Sequence, residues 1–226
     1  MTDAVRLDLH VHSAHSPDSR LSLDRIANQV PYVGLRGFAL TDHNSVAGHR
    51  EIPEVLARHP GLLILPGVEV SALEGHLLAY GVSEVPPVRR PVAETIEWVR
   101  RHGGEAALAH PFRISHGVGR AVAESAPRGP IEVCNGHSSA VANAKAELLA
   151  ARLTRPGTGG SDVHEIADLG RAYTEFSPEV RTVDDLLEAL RTGKVEAGGQ
   201  SLRWRGRLRL TLRTTARRVA RGFRPI

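Results

Sequence analysis

The sequence predicts an α/β protein with a mostly parallel inner sheet, closed into a barrel rather than left open. Short β-rich apolar runs alternate with amphipathic helical stretches from residue 5 to about residue 198. About eight such runs in one domain favour a barrel. Histidine, aspartate and glutamate recur where the runs end, as expected of α/β barrels, whose chemistry collects at the carboxyl ends of the strands.

The expected strands, in chain order, are VRLDLHV, GFALTD, LLILPGVEV, HLLAYGV, GEAALAH, PIEVCNG, PGTGGSD and RAYTEF. The expected helices are LSLDRIANQVPYV, PVAETIEWVRRHG, AVANAKAELLAARL and TVDDLLEALRTG. The second helix has proline near its start and glycine after its end, the usual asymmetry of helix termini. The third and fourth follow the helical apolar period.

Length and composition indicate one globular domain. The chain has 226 residues, 41% hydrophobic and 24% charged, enough for a well-buried core. The longest apolar run, GLLILPGVEV, is about half of the roughly 20 residues that span a membrane, so we expect no transmembrane segment. The N-terminus lacks the pattern of a secretory signal. A single cysteine, Cys134, excludes an internal disulfide and predicts a cytoplasmic protein.

Charge divides the chain into two parts. Residues 201–226 hold nine arginines and no acidic residue, whereas residues 1–200 hold the other 20 basic residues and all 25 acidic residues. We therefore expect a domain over 1–200 and an Arg-rich tail over 201–226. In the tail, RWRGRLRLTLR alternates like a strand and TTARRVARGF follows as a short basic helix. The tail is either a solvated extension or, through residues 203–221, a contact for nucleic acid or an anionic surface.

Nine potential metal ligands lie at or near the strand ends. Residues two apart on a strand share a face, so His10 and His12 can converge on one point. Imidazole and carboxylate donors suit Zn²⁺, Mn²⁺ or Fe²⁺, and nine donors exceed the needs of one ion. The sequence thus predicts a cluster of two or three divalent ions held by His10, His12, Asp18, His43, Glu69, His76, His110, Asp162 and His164.

Such a cluster predicts hydrolysis of a phosphate ester. Neighbouring cations acidify a bridging water and stabilise charge on a phosphoryl oxygen. Arg113 and Arg171 are candidate forks for phosphoryl oxygens, with an ordinary ion pair as the alternative for each. The residues expected to carry the chemistry are Asp162, His164, Glu69, Arg113 and Arg171.

Five separated motifs resemble those of the PHP (polymerase and histidinol phosphatase) superfamily, in the family's order. They are DLHVHSAHSPDS, GFALTDHNSVAGHRE, GVEVS, AHPF and GGSDVHEIADLGRAYTEF, and the resemblance covers residues 6 to about 198. It implies a distorted (β/α)7 barrel of the PHP type. It also implies three ligand sets: His10, His12, Glu69 and Asp162; His76 and His110 with the bridging Glu69; and Asp18, His43 and His164.

Three features depart from that pattern. His15 lies near Asp18, and either residue could be the loop ligand. The segment between His76 and His110 is too short for the lid domain of the family's nucleotide-phosphate and exoribonuclease members. Cys134 and Asn135 point to opposite sides of a strand, and we expect Asn135 near the site and Cys134 as a small buried residue.

The function expected from these features is metal-dependent hydrolysis of a phosphate ester by a hydroxide that bridges two ions. The expected substrate is a nucleotide, the 5′ end of a short oligonucleotide or a small phosphomonoester. A histidinol-phosphate-type phosphatase and a non-catalytic metal-binding module associated with nucleic acid are the alternatives. Hydrolysis of amides or cyclic ureas is less favoured, because such sites usually contain a bridging lysine and no lysine follows a strand here.

Overall fold

One sheet, curved into a nearly closed barrel, organises residues 4–201, which are the residues that the computed structural model describes. Within this range the sheet has nine strands in the order β7-β6-β5-β4-β3-β2-β1-β8-β9. Their bounds are β1 Val5–Val11, β2 Gly37–Leu40, β3 Leu63–Ser71, β4 His76–Tyr80, β5 Glu105–Leu108, β6 Ile131–Asn135, β7 Gly157–Gly160, β8 Ala172–Phe176 and β9 Val195–Gly199. The predicted α/β barrel is confirmed.

Strand direction explains why the ligand-bearing strand ends meet. β1, β2 and β3 pair in parallel, as do β5, β6 and β7. β4 is antiparallel to both β3 and β5, and β8 is antiparallel to β1 and β9. The six strands β1–β3 and β5–β7 therefore end at one rim of the barrel. β4 begins there, which brings His76, at its start, to the same rim.

The segment that follows β7 brings the two sides of the sheet together. The backbone N–H of Val163 donates to the carbonyl of His10 at 3.1 Å, and the N–H of His12 donates to the carbonyl of Val163 at 3.1 Å. These bonds place Asp162 and His164, which flank Val163, directly beside the end of β1.

Six helices accompany the strands in the described part of the chain: α1 Leu23–Gln29, α2 Ile52–Arg58, α3 Val92–Arg101, α4 Gly119–Ser125, α5 Ala140–Arg152 and α6 Val183–Thr192. Ser22 and Ser139 cap α1 and α5 by accepting from Arg25 N–H and Ala142 N–H. α6 begins with a capping box of Thr182 and Asp185. Side-chain caps of this kind satisfy N–H groups that lack a partner within the helix.

The sequence prediction missed three short elements, β9, α2 and α4. All three carry little periodicity: β9 reads VEAGG, and α2 and α4 have seven residues each. The strand and helix predicted for the Arg-rich tail lie outside the described residues. No helix within 4–201 combines the length and the apolar character needed to cross a membrane.

Gly160, the last residue of β7, allows this strand to approach β1. A Cβ atom added to Gly160 would lie 2.4 Å from the Cβ and 2.8 Å from the backbone nitrogen of His10. Gly160→Ala should therefore lower the free energy of unfolding by about 3 kcal/mol, because the backbone must shift.

Gly103→Ala is the comparison: Gly103 has φ +80° and no atom within 4 Å of an added Cβ. There only backbone strain, about 1 kcal/mol, is expected. Equal losses in urea unfolding would contradict the steric explanation.

Candidate metal centre

Glu69 lies at the centre of the site, near the end of β3, and is 1% exposed. Its Oε2 atom is 3.0 Å from Nε2 of His10, 3.2 Å from Nε2 of His12 and 3.2 Å from Nδ1 of His43. Its Oε1 atom is 2.6 Å from Nδ1 of His76 and 3.1 Å from Nε2 of His110. One carboxylate therefore faces five imidazoles: one on β1, one directly after β1, one on β4, and one in each of the loops that follow β2 and β5.

Two further carboxylates complete the cluster. Asp162 Oδ1 is 3.4 Å from His12 Nε2 and 3.4 Å from His164 Nδ1. Asp18 Oδ2 is 2.8 Å from His164 Nε2 and 3.3 Å from His43 Nε2. The structure thus brings together all nine residues that the sequence predicts as metal ligands. Their roles as ligands remain a prediction.

The loop after β1 contains both residues proposed for one ligand position. His15 turns toward Glu51, the residue before α2, and its Nε2 lies 2.6 Å from Oε1 of Glu51. Asp18 instead points into the cluster and contacts His164 and His43. The geometry therefore favours Asp18 as the loop donor.

The donor set fits divalent metal ions. His12 Nε2 and His43 Nδ1 are buried and make no hydrogen bond within the described residues, although each lies 3.2 Å from Glu69 Oε2. Two carboxylate oxygens cannot serve five imidazoles with good hydrogen-bond geometry. Unsatisfied buried nitrogens are costly, and cations among these donors would satisfy them.

The electrostatics of the cluster show how strongly its members interact. Burial by itself raises the pKa of Glu69, but the imidazoles of His43 and His10 outweigh burial and hold the pKa well below its usual range. Asp162 is likewise buried, and Arg113 and His10 hold its pKa well below the usual value. Burial by itself lowers the pKa of His12, yet the carboxylates of Asp162 and Glu69 raise it to about 10.

Metal binding should therefore tighten as the pH rises. Coordination requires unprotonated imidazole, and His12 holds its proton up to about pH 10 in the metal-free protein. Because the pKa of His12 is higher in the folded than in the unfolded chain, the protonated imidazole stabilises the metal-free fold. This stabilisation is complete below pH 6.5, the ordinary pKa of histidine, and is lost as the pH rises through about 10. The pKa values of Glu69, Asp162 and Asp18 are lowered, so these three carboxylates stay ionised between pH 6 and 9. We expect the gap in Tm between Zn²⁺-loaded and metal-free protein to widen over that range. A constant gap would contradict this prediction.

Two of the predicted ligand positions have unusual backbone conformations. His110, just after β5, has φ +30°, and Asp162, just after β7, has φ +60°. Residues other than glycine rarely adopt positive φ, and such conformations concentrate at functional sites. The chain thus maintains a local strain where it presents these two side chains.

Arg113 lies at the cluster, whereas Arg171 lies farther out. Arg113 NH1 pairs directly with Oδ2 of Asp162, and the Arg113 side chain is 29% exposed. Arg171 instead donates to Asp168 at 3.1 Å, and Asp168 lies 3.3 Å from Nε2 of His137. His137 borders the predicted ligands, with its ring 5.6 Å from that of His164. The expected role of Arg171 as a phosphate fork remains a prediction.

The sequence prediction missed Glu132, a buried carboxylate on β6 beside His10 and His110. The sequence feature that could have revealed Glu132 is a charged residue at the second position of the apolar run IEVCN. The strand register shifts between Glu132 and Cys134, so Glu132 and Asn135 both reach the site although they are three apart. Asn135 is fully buried and donates to Glu132 at 3.1 Å. Cys134, which was expected to be buried, is only half-buried.

A nearly closed α/β barrel with a buried cluster of histidine, aspartate and glutamate at one rim defines a class of metal-dependent hydrolases. The comparisons with known families agree with this class. The PHP domain model matches residues 8–147, and the PHP-associated model matches residues 141–195. The chain belongs to the PHP family.

Solved structures show the same fold. PsfC from Pseudomonas syringae PB-5123 superposes with a TM-score of 0.71 at 19% identity, covering 96% of this chain and 99% of PsfC. A protein from Bifidobacterium adolescentis, assigned as a metal-dependent phosphoesterase, gives 0.59 at 19% identity and covers 84% and 96%. An amidohydrolase from Chromobacterium violaceum, with bound sulfate and no metal, gives 0.61 at 21% identity and covers 84% and 97%.

Family membership and the buried donor cluster together support a metal-dependent hydrolase that uses divalent ions.

Proposed function

We propose that this protein is a phosphoesterase that hydrolyses phosphate esters with the help of two or three divalent ions, among Mn²⁺, Zn²⁺ and Fe²⁺. The observation that carries this proposal is the convergence of five imidazoles on Glu69, with Asp162 and Asp18 on either side. Bound ions would acidify water and neutralise charge on a phosphoryl group.

The side chains would divide the work by position. Glu69 and Asp162 supply the negative charge that retains cations in a buried site. Arg113, beside Asp162 and partly exposed, is placed to donate to phosphoryl oxygens through its planar guanidinium. His164 lies between Asp162 and Asp18 and would hold these two carboxylates in position.

The proposed substrate is a small phosphomonoester, a nucleotide or the 5′ end of a short oligonucleotide. Between β4 and β5 the chain forms only α3 and its connections, so no inserted lid domain covers the site there. The Arg-rich tail favours a polyanionic substrate, and we propose that residues 203–221 contact nucleic acid or an anionic surface.

Amide hydrolysis is the second candidate, because the Chromobacterium violaceum neighbour is described as an amidohydrolase. Sites that hydrolyse amides usually contain a bridging lysine, and that lysine has no counterpart in this site. The chain contains two lysines, Lys145 on α5 and Lys194 between α6 and β9, and both are exposed. Neither belongs to the cluster around Glu69.

The test is a screen of the full chain loaded with each metal, with metal content measured on the same preparation. Nucleoside monophosphates, 5′-phosphorylated oligonucleotides, histidinol phosphate and p-nitrophenyl phosphate are assayed for phosphate release, and cyclic ureas and N-acyl amino acids for amide cleavage. We expect phosphate release that requires metal and survives deletion of 203–226 with small esters. Amide cleavage without phosphate release would refute the proposal.

A further inference from the structure

We infer that Glu132 is a positioning residue of the metal centre, one that orients His10 and holds the backbone of His110 without binding an ion itself. This inference rests on the proposed function only in assuming that divalent ions bind at Glu69. Glu132 is 1% exposed and lies on β6, a strand to which the sequence assigns no ligand.

Both oxygens of Glu132 are engaged by nitrogen atoms. Oε1 lies 3.0 Å from Nδ1 of His10. Oε2 accepts from the backbone N–H of His110 at 2.8 Å and from the side-chain amide of Asn135 at 3.1 Å. A backbone N–H and an amide N–H can only donate, so Glu132 serves as an acceptor. An oxygen occupied in this way is poorly placed to coordinate a cation, although Glu132, His10 and His110 are close enough together to form a triad.

The contact between Glu132 and His10 determines which ring nitrogen of His10 faces the cluster with a lone pair rather than a proton. When Glu132 accepts from Nδ1, that nitrogen carries the proton and Nε2 presents its lone pair. Nε2 of His10 lies 3.0 Å from Glu69 Oε2 and 3.8 Å from Asp162 Oδ1. A carboxylate behind a ligating histidine fixes its tautomer and raises its basicity.

The contact with His110 restrains a strained backbone. His110 has φ +30°, and its N–H is held by Glu132 at 2.8 Å while its Nε2 lies 3.1 Å from Glu69 Oε1. Without that hydrogen bond the residue can relax to an ordinary conformation and withdraw its ring. Gly160 leaves room for the arrangement, since an added Cβ there would lie 3.0 Å from Glu132 Oε1.

The consequence is specific to part of the cluster. Glu132 contacts His10 and His110, which face Glu69, whereas Asp18 contacts His43 and His164. Replacing Glu132 with a poorer hydrogen-bond acceptor should therefore release ions held around Glu69 before an ion held by Asp18, His43 and His164.

Glu132→Gln tests the inference. One carbonyl oxygen replaces two, so the amide NH₂ must face either His10 or the two donors at His110 and Asn135. We expect Zn²⁺ to bind about 10–100-fold more weakly at the Glu69 sites, with fewer ions retained after dialysis. Titration calorimetry and elemental analysis give affinity and stoichiometry. Long-range ¹H–¹⁵N spectra of the Zn²⁺-loaded protein should show Nδ1-protonated His10 in the parent and a changed signal in the variant.

Glu105→Gln is the matched control. Glu105 is also a buried glutamate, 4% exposed, but it begins β5 and pairs with Arg100 at 2.9 Å. It should keep the parent's zinc affinity and His10 signal. Glu132→Asp retains an acceptor carboxylate and should bind zinc more tightly than Glu132→Gln, which separates positioning from a general defect in folding.

Two failures are distinguishable. If the parent protein binds no divalent ion, both the proposed function and this inference are refuted. If the parent binds zinc and Glu132→Gln binds it equally well, with an unchanged His10 signal, only the role of Glu132 is refuted.

Discussion

Asp162→Asn should lower kcat/KM for phosphate-ester hydrolysis by more than about 100-fold. Loss of a group behind a metal ligand typically costs 10–100-fold, and Asp162 lies within the cluster itself, 3.4 Å from both His12 and His164. Asparagine is the informative replacement because Asp162 has φ +60°, a conformation that asparagine tolerates. The loss can then be attributed to the missing negative charge. The same substitution removes the charged partner of Arg113.

The measurement is steady-state kinetics with the best ester from the screen, at saturating metal. Asp24→Asn is the control, since Asp24 pairs with Arg58 on the exposed surface and should leave kcat/KM unchanged. An Asp162→Asn protein with normal fold, metal content and turnover would remove Asp162 from the mechanism.

Glu69→Gln should have the larger effect, because it removes the carboxylate shared by five imidazoles. We expect loss of the ions around Glu69 and no measurable turnover. Removing one partner from a buried charge network costs about 3–5 kcal/mol. The metal-free protein should therefore unfold at a Tm lower by roughly 6–20 °C, at about 2–4 °C per kcal/mol for a domain of this size.

Elemental analysis and calorimetric melting of metal-free and metal-loaded protein measure this effect. Glu105→Gln removes a buried glutamate of the same length outside the cluster, and it should keep its bound metal. If Glu69→Gln retained the parent's metal content, Glu69 would not be the shared ligand that the geometry indicates.

Much of the site could be predicted from local sequence. The pairs His10 with His12 and Asp162 with His164 follow or end apolar runs, and the carboxyl ends of parallel strands share one rim. The α/β barrel followed from the alternation of strands and helices. β9 was missed because VEAGG lacks the β-branched and apolar alternation that marks a strand.

The remaining site features depend on contacts between distant segments. His15 and Asp18 are three residues apart in one polar loop, and only their contacts with Glu51 and His164 distinguish them. For Arg171 the sequence left two roles open, a contact with phosphate and an ordinary ion pair, and Asp168 lies close enough to pair with it. Glu132 was overlooked because a shift in strand register, invisible in the sequence, turns it toward His10.

The amino-acid sequence by itself determined which donors this protein has and that they fall at strand ends, because strand periodicity and side-chain chemistry are local properties. The tertiary structure decided which of those atoms meet. Closure of the barrel, which joins β1 to the segment after β7, places side chains more than a hundred residues apart within about 3 Å of each other.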